Sequence, residues 1–218
     1  MEILQNLKSE RGYLLSYHFV LNQLDPLLLE AYGGLYRTCT LRERFLSART
    51  RELIWVALLT ELREKVGDIH IERAKVCGVT ESELSAALKL ASISAAWDAL
   101  EFAGSWSGTL ADDEVIKQYR SIVSFAGDGL NQSEQELLML TVQGARRTRT
   151  PFIMHLRSAL ELGVSEAEIA EALSYLLMPA GANALLWTTD QWLDAVRQGE
   201  LPESATFGKA TFEWKSGS

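Results

Sequence analysis

Two histidines stand at matched places in this 218-residue chain, and each follows a glutamate at nearly the same distance. Glu52 precedes His70 by 18 positions and Glu136 precedes His155 by 19. An imidazole with an ordinary pKa near 6.5 exchanges protons at neutral pH. A carboxylate beside it orients the ring or raises its pKa. Arg146, Arg147 and Arg149 lie just upstream of His155. A guanidinium there could hold a substrate carboxylate or stabilise an enolate as CO₂ leaves. Together these types suit proton transfer without a cofactor: His155 moves the proton, Glu136 supports it, and an arginine anchors the substrate. The His70 and Glu52 pair repeats the arrangement. Glu61, Glu64, Asp68 and Glu72 around it make a poorer place for an anion. The plainer alternative is structural. A histidine at a helix start can tie down a neighbouring helix end, a glutamate there gains from the helix dipole, and the arginines can be a solvated turn.

The elements that carry these residues are written twice. HIERAKVCGVTESELSAAL (70–88) returns as HLRSALELGVSEAEIAEAL (155–173), offset by 85 residues, with eight of 19 positions identical. An internal echo of this kind sets the architecture before any local motif does. In each copy a histidine sits near a helix start, and Gly78 or Gly163 stops that helix in the left-handed conformation. Thr80 with Glu83, and Ser165 with Glu168, then form capping boxes that start a second helix. Upstream, RELIWVALLTELREK and QELLMLTVQGARR predict one buried helix per copy, with Ser47 or Thr50 capping the first and Ser133 with Glu136 boxing the second. Residues 1–24 read as a helix, Asp25-Pro26 starts the next, and ALKLASISAAWDALEFAGS reads as one long helix. Met178-Pro179-Ala180-Gly181 predicts a break. Without an alternating strand pattern, the class is all-α.

Net charge is −8, which argues against nucleic acid or an anionic membrane as a partner. No apolar run reaches membrane-spanning length, and the N-terminus carries charges where a signal peptide needs an apolar core. Cys39 and Cys77, far apart, indicate a reducing compartment. The expected location is cytoplasmic.

ARTRELIWVAL with IHIERAKVCGVTESELSAAL, and SEQELLML with IMHLRSALELGVSEAEIAEALSYLLMPAGANA, resemble the carboxymuconolactone decarboxylase family, which includes the alkylhydroperoxidase D-like proteins. The resemblance implies a tandem duplicated helical repeat. Its expected bounds are an N-terminal extension 1–24, a first repeat 25–108, a second repeat 109–198 and a tail 199–218, docked through Phe207, Phe212 and Trp214. The redox branch implies a Cys-x-x-Cys motif. Here those positions hold Arg63 and Val66 in one copy, and Thr148 and Pro151 in the other. Thiol peroxidase chemistry lacks its nucleophile and its resolving partner. The decarboxylase branch, which works without cofactor or metal, fits better. It implies a lyase or isomerase acting on a small oxygenated substrate, carboxylated or a lactone, with His155, Glu136, His70 and Glu52 as catalytic candidates and Arg146, Arg147 and Arg149 on the substrate. A degenerate member serving as an oligomeric binding or scaffold protein is the other reading. Family relatives form closed rings, and helices apolar on several faces call for burial, so a homo-oligomer, a trimer, is expected.

Overall fold

The computed structural model describes residues 2–108 and 110–208. They fold into helices with no strand, apart from one isolated bridge between Ser204 and Gly208. None of these helices is long and apolar enough to cross a membrane. The chain divides into two compact units, residues 1–43 and 44–218, so the division falls inside the stretch 25–108.

In the first unit, residues expected to form one helix form two, α1 (Glu2–Arg11) and α2 (Ser16–Leu24). Gly12, at φ 88°, breaks the run between them. Asp25 caps α3 (Pro26–Tyr36) by accepting from the Leu28 amide at 3.1 Å. A π-turn over Arg37–Leu41 follows. The buried Arg11 guanidinium organises this unit: it bonds the Tyr13 hydroxyl and lies 3.8 Å over the Tyr36 ring.

The second unit is built around α4 (Ala48–Glu61) and α9 (Gln132–Arg146), which pack against each other. Every residue from Arg51 to Leu59, and from Leu137 to Gly144, is buried. A helix with no solvent face must be covered on all sides, and each has its own cover. Helices α5 (Asp68–Val76) and α6 (Glu81–Ile93) pack on α4. Helices α10 (Arg149–Glu161), α11 (Glu166–Ser174) and α12 (Ala182–Arg197) pack on α9. Gly78 and Gly163 end α5 and α10 at φ 81° and 82°, and the boxes at Thr80/Glu83 and Ser165/Glu168 form as the sequence predicts. Two non-glycine residues, Arg63 and Arg147, also turn left-handed, both at φ 59° and both just past a central helix.

Two sequence expectations need correction. The box on α9 is Asn131 with Glu134, not Ser133 with Glu136. Asn131 Oδ1 accepts from the Glu134 amide at 2.8 Å, so the helix starts earlier and Glu136 lies inside it. The stretch after Ala87 is two helices, α6 and α7 (Ala96–Ser107), separated at Ser94. The Ser94 carbonyl accepts from Gln143 Nε2 and its hydroxyl donates to Glu61, so its polar groups bond across the core. Helix α7 then packs on α8 (Asp112–Ala126). Ser47 caps α4, and the chain breaks after the 3-10 turn Tyr175–Leu177, next to Pro179. In the tail, Phe207 packs edge-on to Trp192 with centroids 5.5 Å apart; Phe212 and Trp214 lie outside the described residues.

Candidate functional site

Each histidine lies across from its glutamate because α4 and α5, like α9 and α10, are consecutive helices packed together. In the second repeat, His155 Nδ1 is 2.6 Å from Glu136 Oε2. Its Nε2 is 3.1 Å from the Tyr119 hydroxyl, supplied by α8. A carboxylate only accepts, so Nδ1 carries the proton and donates to Glu136, and Nε2 accepts from Tyr119. The Tyr119 oxygen in turn accepts from Gln143 Nε2 at 2.9 Å. Arg120, next on α8, donates to Glu136 Oε1 at 2.6 Å, to the Met154 carbonyl at 3.0 Å and to Ser158 Oγ at 2.5 Å. Every bond in the chain Gln143–Tyr119–His155–Glu136 points the same way, ending on a carboxylate that Arg120 balances.

The first repeat holds the same pair with different support. His70 Nδ1 is 2.7 Å from Glu52 Oε2, and Arg51 of the same helix donates to Glu52 Oε1 at 3.1 Å. Trp55 stacks on the His70 ring, with centroids 4.9 Å apart and planes 19° apart. Its other neighbour is Tyr175, whose hydroxyl donates to the buried Glu171.

Both histidines are sealed: His70 is 3% exposed and His155 0%. Burial pushes both imidazoles below their ordinary pKa, against the upward pull of Glu52 and Glu136. The nearby arginines, Arg73 and Arg51 in one case and Arg120 in the other, work with burial. Burial also raises the Tyr119 phenol, so it stays protonated and is a donor rather than a base at neutral pH. Glu136 and Arg120 both reach an open recess of about 360 Å³, walled also by Val123, Ser124, Gln135, Ser158, Glu161 and Leu162. Among the described residues, no three His, Cys, Asp or Glu side chains are placed to hold a metal ion.

Arg146 is paired with Glu61 at 3.0 Å and with Asp98. Arg149 is paired with Glu200 at 2.5 Å, and Arg147 is exposed at its left-handed turn. The cation on the Glu136–His155 pair is Arg120. Sequence reading missed Arg120, Tyr119 and Gln143. A signal was there: a Tyr-Arg pair, Tyr36-Arg37 and Tyr119-Arg120, stands ahead of the glutamate in both repeats.

Set against known proteins, the chain matches the carboxymuconolactone decarboxylase family twice, over residues 26–106 and 114–194. No curated protein and no solved structure gives a significant match.

Proposed function

The chain belongs to the carboxymuconolactone decarboxylase family, and from that premise we propose that it is a binding and assembly member whose histidines brace the fold. The observation that carries this reading is the sealing of both rings. His155 has both nitrogens committed to protein partners and no exposed surface, and His70 is nearly as deep. A general base must come within hydrogen-bond reach of the proton it takes. The equivalent pairing in two repeats with different surroundings has a common cause in what the repeats share: each ties a central helix to the next one. In this reading a small molecule enters the Arg120 recess. Its walls bring one guanidinium already paired with Glu136, a second carboxylate at Glu161, hydroxyl and amide groups, and the apolar Val123 and Leu162. That balance favours a neutral, hydrogen-bonding ligand over a carboxylate. The expected closed homo-oligomer, a trimer, belongs to the same reading.

One observation favours a second reading, a cofactor-free lyase or isomerase. Glu136 opens to the recess and is backed by a one-directional chain through His155 and Tyr119. There Glu136 would meet the substrate and His155 would tune its proton affinity.

The test is to incubate the full chain with carboxylated and uncarboxylated muconolactones, following ring absorbance and CO₂ release. The binding reading expects no turnover, with His155→Gln losing stability only. Turnover by the wild type that disappears in a folded His155→Gln or Glu136→Gln variant would overturn it in favour of the lyase.

A further inference from the structure

The two repeats are similar enough that one can be read as a template for the other, and they differ at one seat. In the second repeat Phe152 on α10 is fully buried, and its ring approaches the backbone at Gly144. Trp187 of α12 closes over it edge-on, with centroids 5.5 Å apart. At the repeat offset, Gly67 stands in the first repeat where Phe152 stands in the second, and Phe102 stands where Trp187 stands. Helix α12 packs back on α9 and α10, whereas α7 leaves its own repeat to pack on α8. Two consequences follow. The seat in the first repeat is an open recess of about 330 Å³, with Val56, Leu59 and Ile71 as its apolar lining and Gly67 at its edge. The side chain that would close it, Phe102, is 69% exposed beside Trp106, also 69% exposed, with ring centroids 6.3 Å apart.

We propose that the Phe102–Trp106 face of α7 seats in the α4–α5 recess of a second copy of this chain. The step rests on the assembly part of the reading above and names its surface. The rim is mixed in charge and offers the pairing one ion pair, Glu101 with Lys65. Helix α7 carries Asp98 and Glu101 and no basic residue. Asp98 is held by Arg146, which leaves Glu101 for the partner. The recess rim carries Arg63 and Lys65, with Glu64 and Asp68 beside them; Asp68 is turned onto the Ile69 amide. Aromatic side chains entering an apolar recess beside a charge pair are the usual centre of a protein interface. In a cyclic assembly each copy gives one α7 and receives one, so the contacts close.

The test is the mass of the full chain by light scattering after size exclusion, over a wide concentration range, with helicity checked by circular dichroism. The wild type is expected at the mass of two or more whole chains. The double variant Phe102→Ser/Trp106→Ser removes the plug. Gly67→Phe fills the seat from inside; a first side-chain carbon there meets only Leu59 Cβ, at 3.5 Å, and Leu59 Cδ1, at 4.0 Å, which are ordinary contacts. Each is expected to raise the dissociation constant about tenfold or more with helicity unchanged. Lys65→Glu is expected to weaken assembly, and Lys65→Glu/Glu101→Lys to restore it. A single-chain mass for the wild type would sink the assembly and this surface together. A multimer unchanged by both the plug and the seat variants would sink this surface and leave assembly standing. A multimer lost with the plug but kept in Gly67→Phe would place α7 against some other seat and overturn the proposal.

Discussion

Acid should unfold this protein earlier than its carboxylates alone would require, and the sealed histidines set where that begins. An unfolded imidazole takes up a proton near pH 6.5. Folded His155 does not, because its ring is buried and the carboxylate at Nδ1 is already balanced by Arg120 at 2.6 Å. His70 is lowered for the same first reason, burial, with Arg73 and Arg51 adding to it. The unfolded chain therefore binds more protons than the folded one below pH 6.5, so stability rises with pH there and is lost as pH falls. The contribution is fully present above pH 6.5. By pH 5.5 a histidine that stays neutral costs about 1.4 kcal/mol relative to pH 7.5. His18 in the first unit, lowered to about 4 by burial and by Arg11, falls in the same window. Glu83 acts later, since Arg49 holds it near 2 and its stabilisation is lost only below the ordinary carboxylate range. The assay is urea unfolding at pH 7.5, 6.5 and 5.5 for the wild type and for His155→Gln. The variant starts less stable, but its loss between pH 7.5 and 5.5 should be smaller by about 1.4 kcal/mol. Parallel pH curves for the two proteins would refute the reasoning, because they would mean that His155 titrates in the folded state as it does in the unfolded chain.

Two further outcomes follow from the same packing. Tyr119→Phe removes the donor to His155 Nε2 and one acceptor of Gln143, both inside the core. It should cost about 1–3 kcal/mol in urea unfolding, and an unchanged midpoint would show that the hydroxyl is not part of the chain of bonds. Gly144→Ala improves helix propensity by about 1 kcal/mol, but its methyl would stand 2.7 Å from Thr188 Cγ2 and 3.1 Å from Leu176 Cδ1, both on buried residues. Overpacking of this kind costs about 1–3 kcal/mol, so a lower melting temperature is expected and a higher one would contradict the packing.

What the sequence made legible was the part governed by local rules. Gly78 and Gly163, Thr80 with Glu83, and Ser165 with Glu168 act within a few residues of themselves, and their signals came true as helix stops and starts. The pairing of His70 with Glu52 and of His155 with Glu136 was also within reach, since consecutive antiparallel helices bring such positions together. The break at Ser94 was not. Its cause lies across the core, in Gln143 and Glu61, and no window around residue 94 contains it.

The arginine on the site shows the same limit more sharply. Arg146, Arg147 and Arg149 are close to His155 in sequence, but nearness in sequence across a turn does not fix which groups the side chains meet. Arg146 meets Glu61 and Asp98 and Arg149 meets Glu200, while Arg147 is exposed. Arg120 is far away in sequence and reaches Glu136 because α8 lies across the α9–α10 pair. The dipeptide it belongs to appears in both repeats, yet its first copy, Tyr36-Arg37, lies in the first unit, with Tyr36 under the Arg11 guanidinium and Arg37 paired with Glu10. In the first repeat Arg51 and Trp55 of α4 itself lie against Glu52 and His70. A repeated dipeptide therefore marks a candidate, and the packing around each copy, not its spacing, says what it does.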